Sequence, residues 1–325
     1  MKKYIVKRYE TKNYSDWNAF ISTAKNATFL FIRDFMEYHS DRFDDFSLMI
    51  YEEDKLVSVL PANRVGATIY SHQGLTYGGL VYNNKIKLIS VVEILKNILK
   101  FLHDSKIIKL QIKTIPSIYH DLPAEELNYA LFLADANLIR RDSMAVIDMS
   151  KKLLIVSGRK EGIKKGKMNK LEIKEVTDFK EFWNGILIPN LSSKHQAKPV
   201  HTLQEITKLN SIFPKNIRQF NVYENGIIIA GTTIFESLNV AHSQYISGIE
   251  DKNKLGGLDL LHNYLLTEVF NKKKYFDFGI SNEDQGKKLN SSLSFWKESF
   301  GARTIVHDFY EIKTANYVKL NNVVI

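Results

Sequence analysis

The sequence predicts a mixed α/β fold that occurs twice along the chain. Residues 46–80 and residues 217–250 each show three alternating strands separated by turns, and in each the third strand ends in a group of histidine, serine and glutamine. Each meander is followed by a helical pattern and then by another strand. Because the order of elements recurs, we expect two similar domains, 1–150 and 151–325, each with a mixed, largely antiparallel sheet flanked by helices.

The elements of the first repeat follow from its apolar pattern. Apolar residues alternate on both sides of a turn at Glu53 and Asp54, which predicts a hairpin. Residues 87–106 then place apolar side chains at helical spacing, and residues 107–115 return to alternation. The first repeat therefore predicts a meander, a helix and a further strand.

The second repeat has the stronger turn signal. Asn225 and Gly226 stand between two alternating runs, and Asn-Gly is typical of a two-residue hairpin turn. Residues 255–274 show helical spacing, and residues 275–280 read YFDFGI, a short strand. Alternation places Asp277 and Gly279 on one face of that strand and the phenylalanines on the other, which we expect to be the core face.

Composition narrows the classes of function. The chain has 325 residues, of which 44% are hydrophobic and 25% charged, as in soluble proteins with two domains. It has no cysteine, which excludes disulfides, thiolate metal sites and a cysteine nucleophile. The start lacks the pattern of a signal peptide, and no uncharged apolar run is long enough to cross a bilayer, so we expect a cytoplasmic protein without a transmembrane segment.

The charge indicates anionic partners. The formal net charge is +9, which favours the phosphates of a cofactor, a nucleotide-linked sugar, tRNA or a membrane surface. Lysine and arginine are concentrated in residues 151–174, which join the two predicted domains. This segment is interpreted either as a solvated linker or as a phosphate-binding segment.

The order of elements resembles the GNAT acyltransferase fold, and two copies in tandem resemble the FemAB-like branch of that family. The second half carries the closer likeness, in KHQAKPVHTLQEI (194–206), VAHSQYIS (240–247), DFGISNEDQGKKLN (277–290) and FWKESFGA (295–302). These segments are similar to GNAT-type proteins of bacterial surface-glycan and amino-sugar pathways. The resemblance implies transfer of an acyl or aminoacyl group to an amine, with most of the active site in the second domain.

The resemblance also implies where an acyl-CoA donor would bind. The loop that matches the family's donor loop reads EDKNKLGGLDLL, so Lys252, Lys254, Gly256 and Gly257 become candidate cofactor-binding residues. A glycine-rich helix N-terminus presents main-chain N–H groups to a pyrophosphate. Trp296 stands where the family has a tyrosine in its last helix, and because an indole cannot protonate a leaving thiolate, that acid must be another group or water.

Candidate catalytic residues lie on the last two strands of the second repeat. Alternation in VAHSQYIS places His242 and Gln244 on one face and Tyr245 on the other. His242 is the first candidate for the base that deprotonates an amine, because imidazole titrates near neutral pH. The alternative, a packed and hydrogen-bonded histidine, is equally compatible with the sequence.

A polar group follows the strand YFDFGI. Ser281, Asn282 and Glu283 stand at the end of that strand, where α/β folds commonly place ligands. Asn282 and Glu283 could orient an amine acceptor, and Glu283 could serve as base or as the partner of His242. The alternative is that these residues supply turn and cap chemistry for the following helix.

The segment KHQAKPVH adds Lys194 and His201 as candidates for holding an anionic acceptor, unless it is a solvated loop. Tyr245, Gln244, Ser281 and Asn282 complete the predicted substrate-binding set, and no histidine-carboxylate spacing suggests a metal. The leading hypothesis is an N-acyltransferase that moves an acyl group from acyl-CoA to the amine of a nucleotide-linked amino sugar in surface-polysaccharide biosynthesis. The alternatives are an aminoacyl-tRNA-dependent FemAB-type enzyme and a non-catalytic module that binds a glycan or nucleic acid.

Overall fold

A computed structural model describes residues 3–249 and 255–323. The chain divides into two compact units. The first comprises residues 1–142, 285–287 and 306–325, and the second comprises residues 143–284 and 288–305. The division into domains 1–150 and 151–325 stays a prediction of the sequence.

The strands of the described residues are numbered in chain order. They are β1 (Tyr4–Arg8), β2 (Asp44–Asp45), β3 (Leu48–Glu52), β4 (Lys55–Leu60), β5 (Asn63–Val65), β6 (Thr68–Tyr70), β7 (Val81–Tyr82), β8 (Lys109–Lys113), β9 (Asn137–Asp148), β10 (Glu172–Val176), β11 (Ile217–Glu224), β12 (Ile227–Glu236), β13 (Val240–Gly248), β14 (Tyr275–Ile280), β15 (Asn282–Glu283), β16 (Lys288–Leu289) and β17 (Arg303–Lys313).

The α-helices are numbered in the same way. They are α1 (Tyr14–Ile21), α2 (Arg33–Met36), α3 (Leu88–Asp104), α4 (Glu126–Leu133), α5 (Ser157–Met168), α6 (Lys180–Phe182), α7 (Ile188–His195), α8 (Leu203–Ile212), α9 (Gly257–Tyr264) and α10 (Ser291–Glu298). Single π-helical turns, Trp183–Leu187 and Leu265–Val269, follow α6 and α9.

The first unit contains two sheets. One is antiparallel with the strand order β1-β3-β4-β7, and the other has the order β17-β8-β6-β5-β2, in which β6 and β8 are parallel. The strand that enters the first sheet as β4 leaves it at Pro61 and continues in the second sheet as β5. Proline has no N–H to donate to a ladder, so it marks the point at which the strand changes partners.

The core of the first unit lies between α3 and the sheets. The apolar face of α3, including Leu95 and Leu99, is fully buried. Ile312 and Leu320, which follow the second unit in sequence, belong to the same core. The helix predicted within residues 87–106 is confirmed as α3. Its apolar spacing places the buried residues on one face, which packs against the sheets.

The main sheet of the second unit has the order β10-β11-β12-β13-β14-β9, and β15 and β16 form a separate two-stranded sheet. The β13–β14 pair is parallel, and the other neighbours are antiparallel. The predicted hairpin between β11 and β12 is confirmed, with φ of 49° at Asn225 and 80° at Gly226, as a two-residue turn with both residues left-handed requires. Phe220, Phe276 and Phe300 fill the core with residues of α9.

Both units therefore contain a parallel pair made by the last strand of a meander and the strand after the next helix. In the first unit this pair is β6 and β8, and in the second it is β13 and β14. Each of the two repeats predicted from the sequence contains one such parallel pair. The basic segment 151–174 contains α5 and the start of β10, and the lysines of α5 are exposed: Lys160, Lys164, Lys165 and Lys167.

Candidate functional site

In the second unit, the candidate site begins where two parallel strands separate. The pairing of β13 with β14 ends at His242 and Asp277, although β13 continues to Gly248 and β14 to Ile280. Strands that separate turn main-chain groups on their facing edges away from each other, and these groups then need other partners. The last pair in register, His242 and Asp277, lies at the point of divergence.

His242 and Asp277 form a hydrogen-bonded dyad. His242 Nδ1 lies 2.8 Å from Asp277 Oδ2, with the carboxylate fully buried and the imidazole 12% exposed. An ionised carboxylate can only accept hydrogen bonds, so this bond places a proton on Nδ1 and leaves the lone pair on Nε2. The dyad can therefore take a proton at Nε2 from a group that reaches this atom.

Gly279 and Lys297 fix the strand end beside the dyad. Gly279 N donates to Asp277 Oδ1 over 2.6 Å and has a φ of 72°, and a Cβ at this position would lie 3.2 Å from His242 Cε1. Lys297 of α10 donates to the carbonyl oxygens of Gly279 (3.1 Å) and Ile280 (2.5 Å). Burial lowers the pKa of Lys297 to about 8, while the nearby Asp277 carboxylate opposes that shift.

The three polar residues at positions 281–283 lie in different environments. Asn282 Oδ1 accepts from the main-chain N (2.6 Å) and Oγ (2.8 Å) of Ser143, so it joins the end of β14 to β9. Ser281 is buried, and its Oγ has no hydrogen-bond partner among the described residues. Glu283 is exposed in the β15–β16 hairpin and accepts from Asn290 Nδ2 over 3.1 Å.

Glu283 was predicted either as the base itself or as the partner of His242, and in the structure the carboxylate that bonds to His242 belongs to Asp277. His242 bonds to Asp277, because β13 and β14 are parallel neighbours with these two residues in register. Alternation had already placed Asp277 on the polar face of β14, but the register between the two strands, which the sequence does not give, brings the side chains together. Asp277 is the residue of this site that sequence analysis missed.

Tyr245 and His201 were both predicted to bind substrate, and the structure brings them together in a buried position. The Tyr245 hydroxyl accepts from the His201 main-chain N over 3.1 Å and lies 2.7 Å from His201 Nδ1. Burial raises the pKa of Tyr245 to about 12. Gln244 is the extra residue of a bulge in β13, and its buried Oε1 has no partner in the described part of the chain.

The predicted donor loop lies at the N-terminus of α9, only partly within the described residues. Lys252 and Lys254 lie outside them. Gly256 has a φ of 77°, and a Cβ there would overlap the carbonyl oxygen of Gly162 in α5. A Cβ at Gly257 would lie 3.2 Å from Ile229 Cδ1, which is tighter than an ordinary van der Waals contact.

Helix α5 packs on this helix start through its glycines. A Cβ at Gly162 would overlap the Asp259 carboxylate, which lies in the first turn of α9 and pairs with Arg159 at 2.6 Å. Burial raises the pKa of Asp259, against the opposing effect of Arg159. Helix α5 therefore covers the described part of the N-terminal turn of α9.

The structure also locates Lys194 and Trp296, two further residues that sequence analysis singled out. Lys194 lies in the last turn of α7. Trp296 lies in an aromatic cluster, with ring centroids 5.2 Å from His262, 5.7 Å from Phe278 and 5.1 Å from Phe300. Its indole therefore packs α10 against the sheet.

The first unit has a cavity that sequence analysis did not predict. It measures about 360 Å³ and is lined by residues that include Gln73, Gln111, Lys113, Arg140, Gln285 and Phe309. The signal for part of it was present, because Lys109, Gln111 and Lys113 alternate along the strand predicted at 107–115. Arg140 and Gln285 come from distant parts of the sequence.

Comparison with known proteins identifies the fold. FemX shares 9% sequence identity with this chain over 98% of this chain and 99% of FemX, with a TM-score of 0.65. L-PGS from Bacillus licheniformis shares 10% identity over 85% of this chain and 87% of L-PGS, with a TM-score of 0.56. A tandem GNAT protein from the clavulanic acid biosynthesis pathway shares 9% identity over 96% and 99%, with a TM-score of 0.51.

This chain has the FemX-like tandem GNAT fold. The predicted fold class, two tandem GNAT-like domains, is confirmed. No family model and no curated protein sequence matches the chain. Within residues 3–249 and 255–323, no helix is both long and apolar enough to span a bilayer, and no group of three or more histidine or carboxylate side chains is arranged to hold a metal.

Proposed function

We propose that this chain is an N-acyltransferase that uses His242 as a general base on an acceptor amine. The observation that carries the proposal is the His242–Asp277 dyad at the divergence of β13 and β14. A buried carboxylate that holds the Nδ1 proton keeps Nε2 basic and stabilises the imidazolium formed when the ring takes up a proton. The GNAT-like fold supports acyl transfer as the reaction class.

The reaction follows from this arrangement. Nε2 removes a proton from the acceptor amine as its lone pair attacks the acyl carbonyl carbon. A C–N bond forms, the bond from carbon to the leaving sulfur or oxygen breaks, and the leaving group recovers a proton. Attack is direct, because the chain has no cysteine to form a thioester intermediate. The main-chain N–H groups freed beyond His242 are the candidates for stabilising the oxyanion.

Within this proposal, the acceptor is the amine of a nucleotide-linked amino sugar in surface-polysaccharide synthesis, and the reaction takes place in the cytoplasm. The net charge of +9 supports a phosphate-bearing acceptor. Glu283 is exposed beside Asn282 at the end of β14, and we assign it to orienting the amine. Lys194, Gln244 and Ser281 remain proposed acceptor contacts.

Two donors fit the reaction. Acyl-CoA is the first, with its pyrophosphate at the loop that contains Lys252, Lys254, Gly256 and Gly257. Aminoacyl-tRNA is the second, and a specific observation favours it. Helix α5 packs on Gly256, and the buried Asp259 places a carboxylate in the first turn of α9, which disfavours an anion there. The exposed lysines of α5 suit an RNA backbone instead.

The test is product formation followed by mass spectrometry. The full chain is incubated with UDP-linked amino sugars and either a panel of acyl-CoA thioesters or charged tRNA. We expect a mass increase of one acyl or aminoacyl group on the sugar amine with one donor, and loss of that product in His242→Gln. Tight acceptor binding without product from either donor would contradict the transferase and support the binding module.

A further inference from the structure

The cavity of the first unit is lined by two cationic side chains, Lys113 and Arg140. Lys113 Nζ, at the end of β8, donates to the main-chain carbonyl oxygens of Gln73 and Leu75. An ammonium group has three N–H donors, so one remains for the cavity. Among residues 3–249 and 255–323, no carboxylate forms an ion pair with Lys113.

Arg140 lies on the same cavity. Its Nε donates to both carboxylate oxygens of the buried Asp142 (3.0 Å each), Nη2 donates to Asp142 Oδ2 over 2.7 Å, and Nη1 donates to Gln285 over 2.9 Å. These bonds leave one N–H on each terminal nitrogen. The guanidinium carbon lies 4.5 Å from the centroid of the Phe309 ring, which holds its plane in place.

The other titratable groups that line the cavity are Tyr70 and His72, and His307 lies near Lys113. His72, after β6, has a φ of 57°, is 2% exposed, and its Nδ1 has no hydrogen-bond partner among the described residues. His307, on β17, is also buried. Burial lowers the pKa of His72 to about 2 and that of His307 to about 4, so both are neutral at pH 7. The positive charge of Arg140 is balanced by Asp142, and none of the carboxylates in the described part of the chain pairs with Lys113.

We propose that this cavity binds the carboxylate or phosphate group of a small molecule through Lys113 and Arg140, and that binding is coupled to proton uptake at Lys113. The anion supplies the counter-charge that the described residues do not provide. The amide side chains of Gln73, Gln111 and Gln285 and the Phe309 ring surround the cavity, so they suit a polar ring attached to the anion. This inference does not rest on the transfer reaction.

The coupling has a defined sign. Burial, with the charge of Arg140, lowers the pKa of Lys113 to about 7. An anion beside the amine favours the ammonium form and raises that pKa. The empty site is therefore mostly unprotonated at pH 8 and mostly protonated at pH 6. Binding should take up close to one proton at pH 8 and almost none at pH 6, and affinity should fall about tenfold between these pH values.

Isothermal titration calorimetry of the full chain tests both parts. The probes are acetate, sulfate and glucose 1-phosphate, with glucose as the uncharged match. Acetate and sulfate do not titrate between pH 6 and pH 8, so two buffers of different ionisation enthalpy count the protons taken up by the protein. Stronger binding of acetate indicates a carboxylate ligand, whereas stronger binding of sulfate and glucose 1-phosphate indicates a phosphate.

Three variants locate the effect. Lys113→Met should weaken anion binding at least tenfold at pH 6 and abolish proton uptake. Lys113→Arg keeps a permanent charge, so it should remove the proton uptake and flatten the pH dependence. Lys109→Met is the matched control, because Lys109 lies on the same strand but pairs with Glu311 at 2.8 Å. Thermal unfolding shows whether each variant is folded.

Defined results overturn the proposal. No binding of any charged probe, or binding of glucose as tight as that of glucose 1-phosphate, excludes the anion site. Equal affinity and no proton uptake at both pH values exclude the coupling. If Lys113→Met does not fold, Lys113→Arg decides, since unchanged pH dependence in that variant would place the titrating group elsewhere.

Discussion

The two parallel strand pairs, β6–β8 and β13–β14, occupy the same place in their units but carry different chemistry. In the second unit, His242 bonds to the buried Asp277, and its side chain is 12% exposed. In the first, His72 is buried and stacks on His39 with 5.1 Å between ring centroids, while Lys113 and Arg140 line a cavity. The shared scaffold sets a location, and the side chains decide whether it provides a base or a cation.

The largest expected effect is the loss of turnover on replacing His242. His242→Gln should lower turnover by roughly 10²–10⁴-fold, the usual share of general base catalysis, with acceptor binding retained. His103→Gln, an exposed histidine of α3, is the control and should leave turnover unchanged. Steady-state kinetics measures both, and near-normal turnover of His242→Gln would remove His242 from the mechanism.

The second prediction concerns the carboxylate. In Asp277→Asn, the amide N–H can donate to His242 Nδ1, which moves the ring proton to Nε2 and removes the basic nitrogen. Turnover should fall about 10²-fold with a small change in KM. Glu283→Gln should instead raise KM for the acceptor with little change in kcat. If Glu283→Gln has the larger effect on kcat, the pairing with Asp277 is structural and Glu283 is the base.

Two glycines with similar backbone conformations test the packing of α5 on α9. Gly256→Ala should lower the free energy of unfolding by about 2–4 kcal/mol, because strain at a φ of 77° adds to overlap with Gly162. Gly226→Ala has a φ of 80° with open space around its Cβ position, so it should cost about 1 kcal/mol. Urea denaturation measures both, and equal losses would show that α5 does not press on Gly256.

The smallest expected effect is spectroscopic. Because burial lowers the pKa of His72 to about 2, its ring should stay neutral from pH 8 to pH 5. In histidine-labelled protein, the ring nitrogen shifts of His72, assigned with His72→Gln, should not move over this range. A titrating His72 would show that water reaches the ring, and the contrast with His242 would weaken.

The sequence predicted the elements better than their contacts. Periodicity gave α3, the β11–β12 turn and the polar face of β14, since each depends on neighbours in the chain. The His242–Asp277 bond depends on the register of two strands separated by α9. The contact between Gly162 and Gly256 likewise joins distant segments. Glu283 was predicted as the base or the partner of His242 because it follows β14 closely in the sequence. Proximity along the chain does not show which side chains of two neighbouring strands meet.

The order of synthesis follows from the way the first unit is closed. Residues 309–313 pair with β8, and Leu320 fills the core against α3, although more than 150 residues of the second unit precede them. On a ribosome, the second unit can therefore complete its sheet first, while α3 keeps an open apolar face until residue 320 has emerged. For that interval of translation, the early half of the chain exposes apolar surface that the completed fold buries.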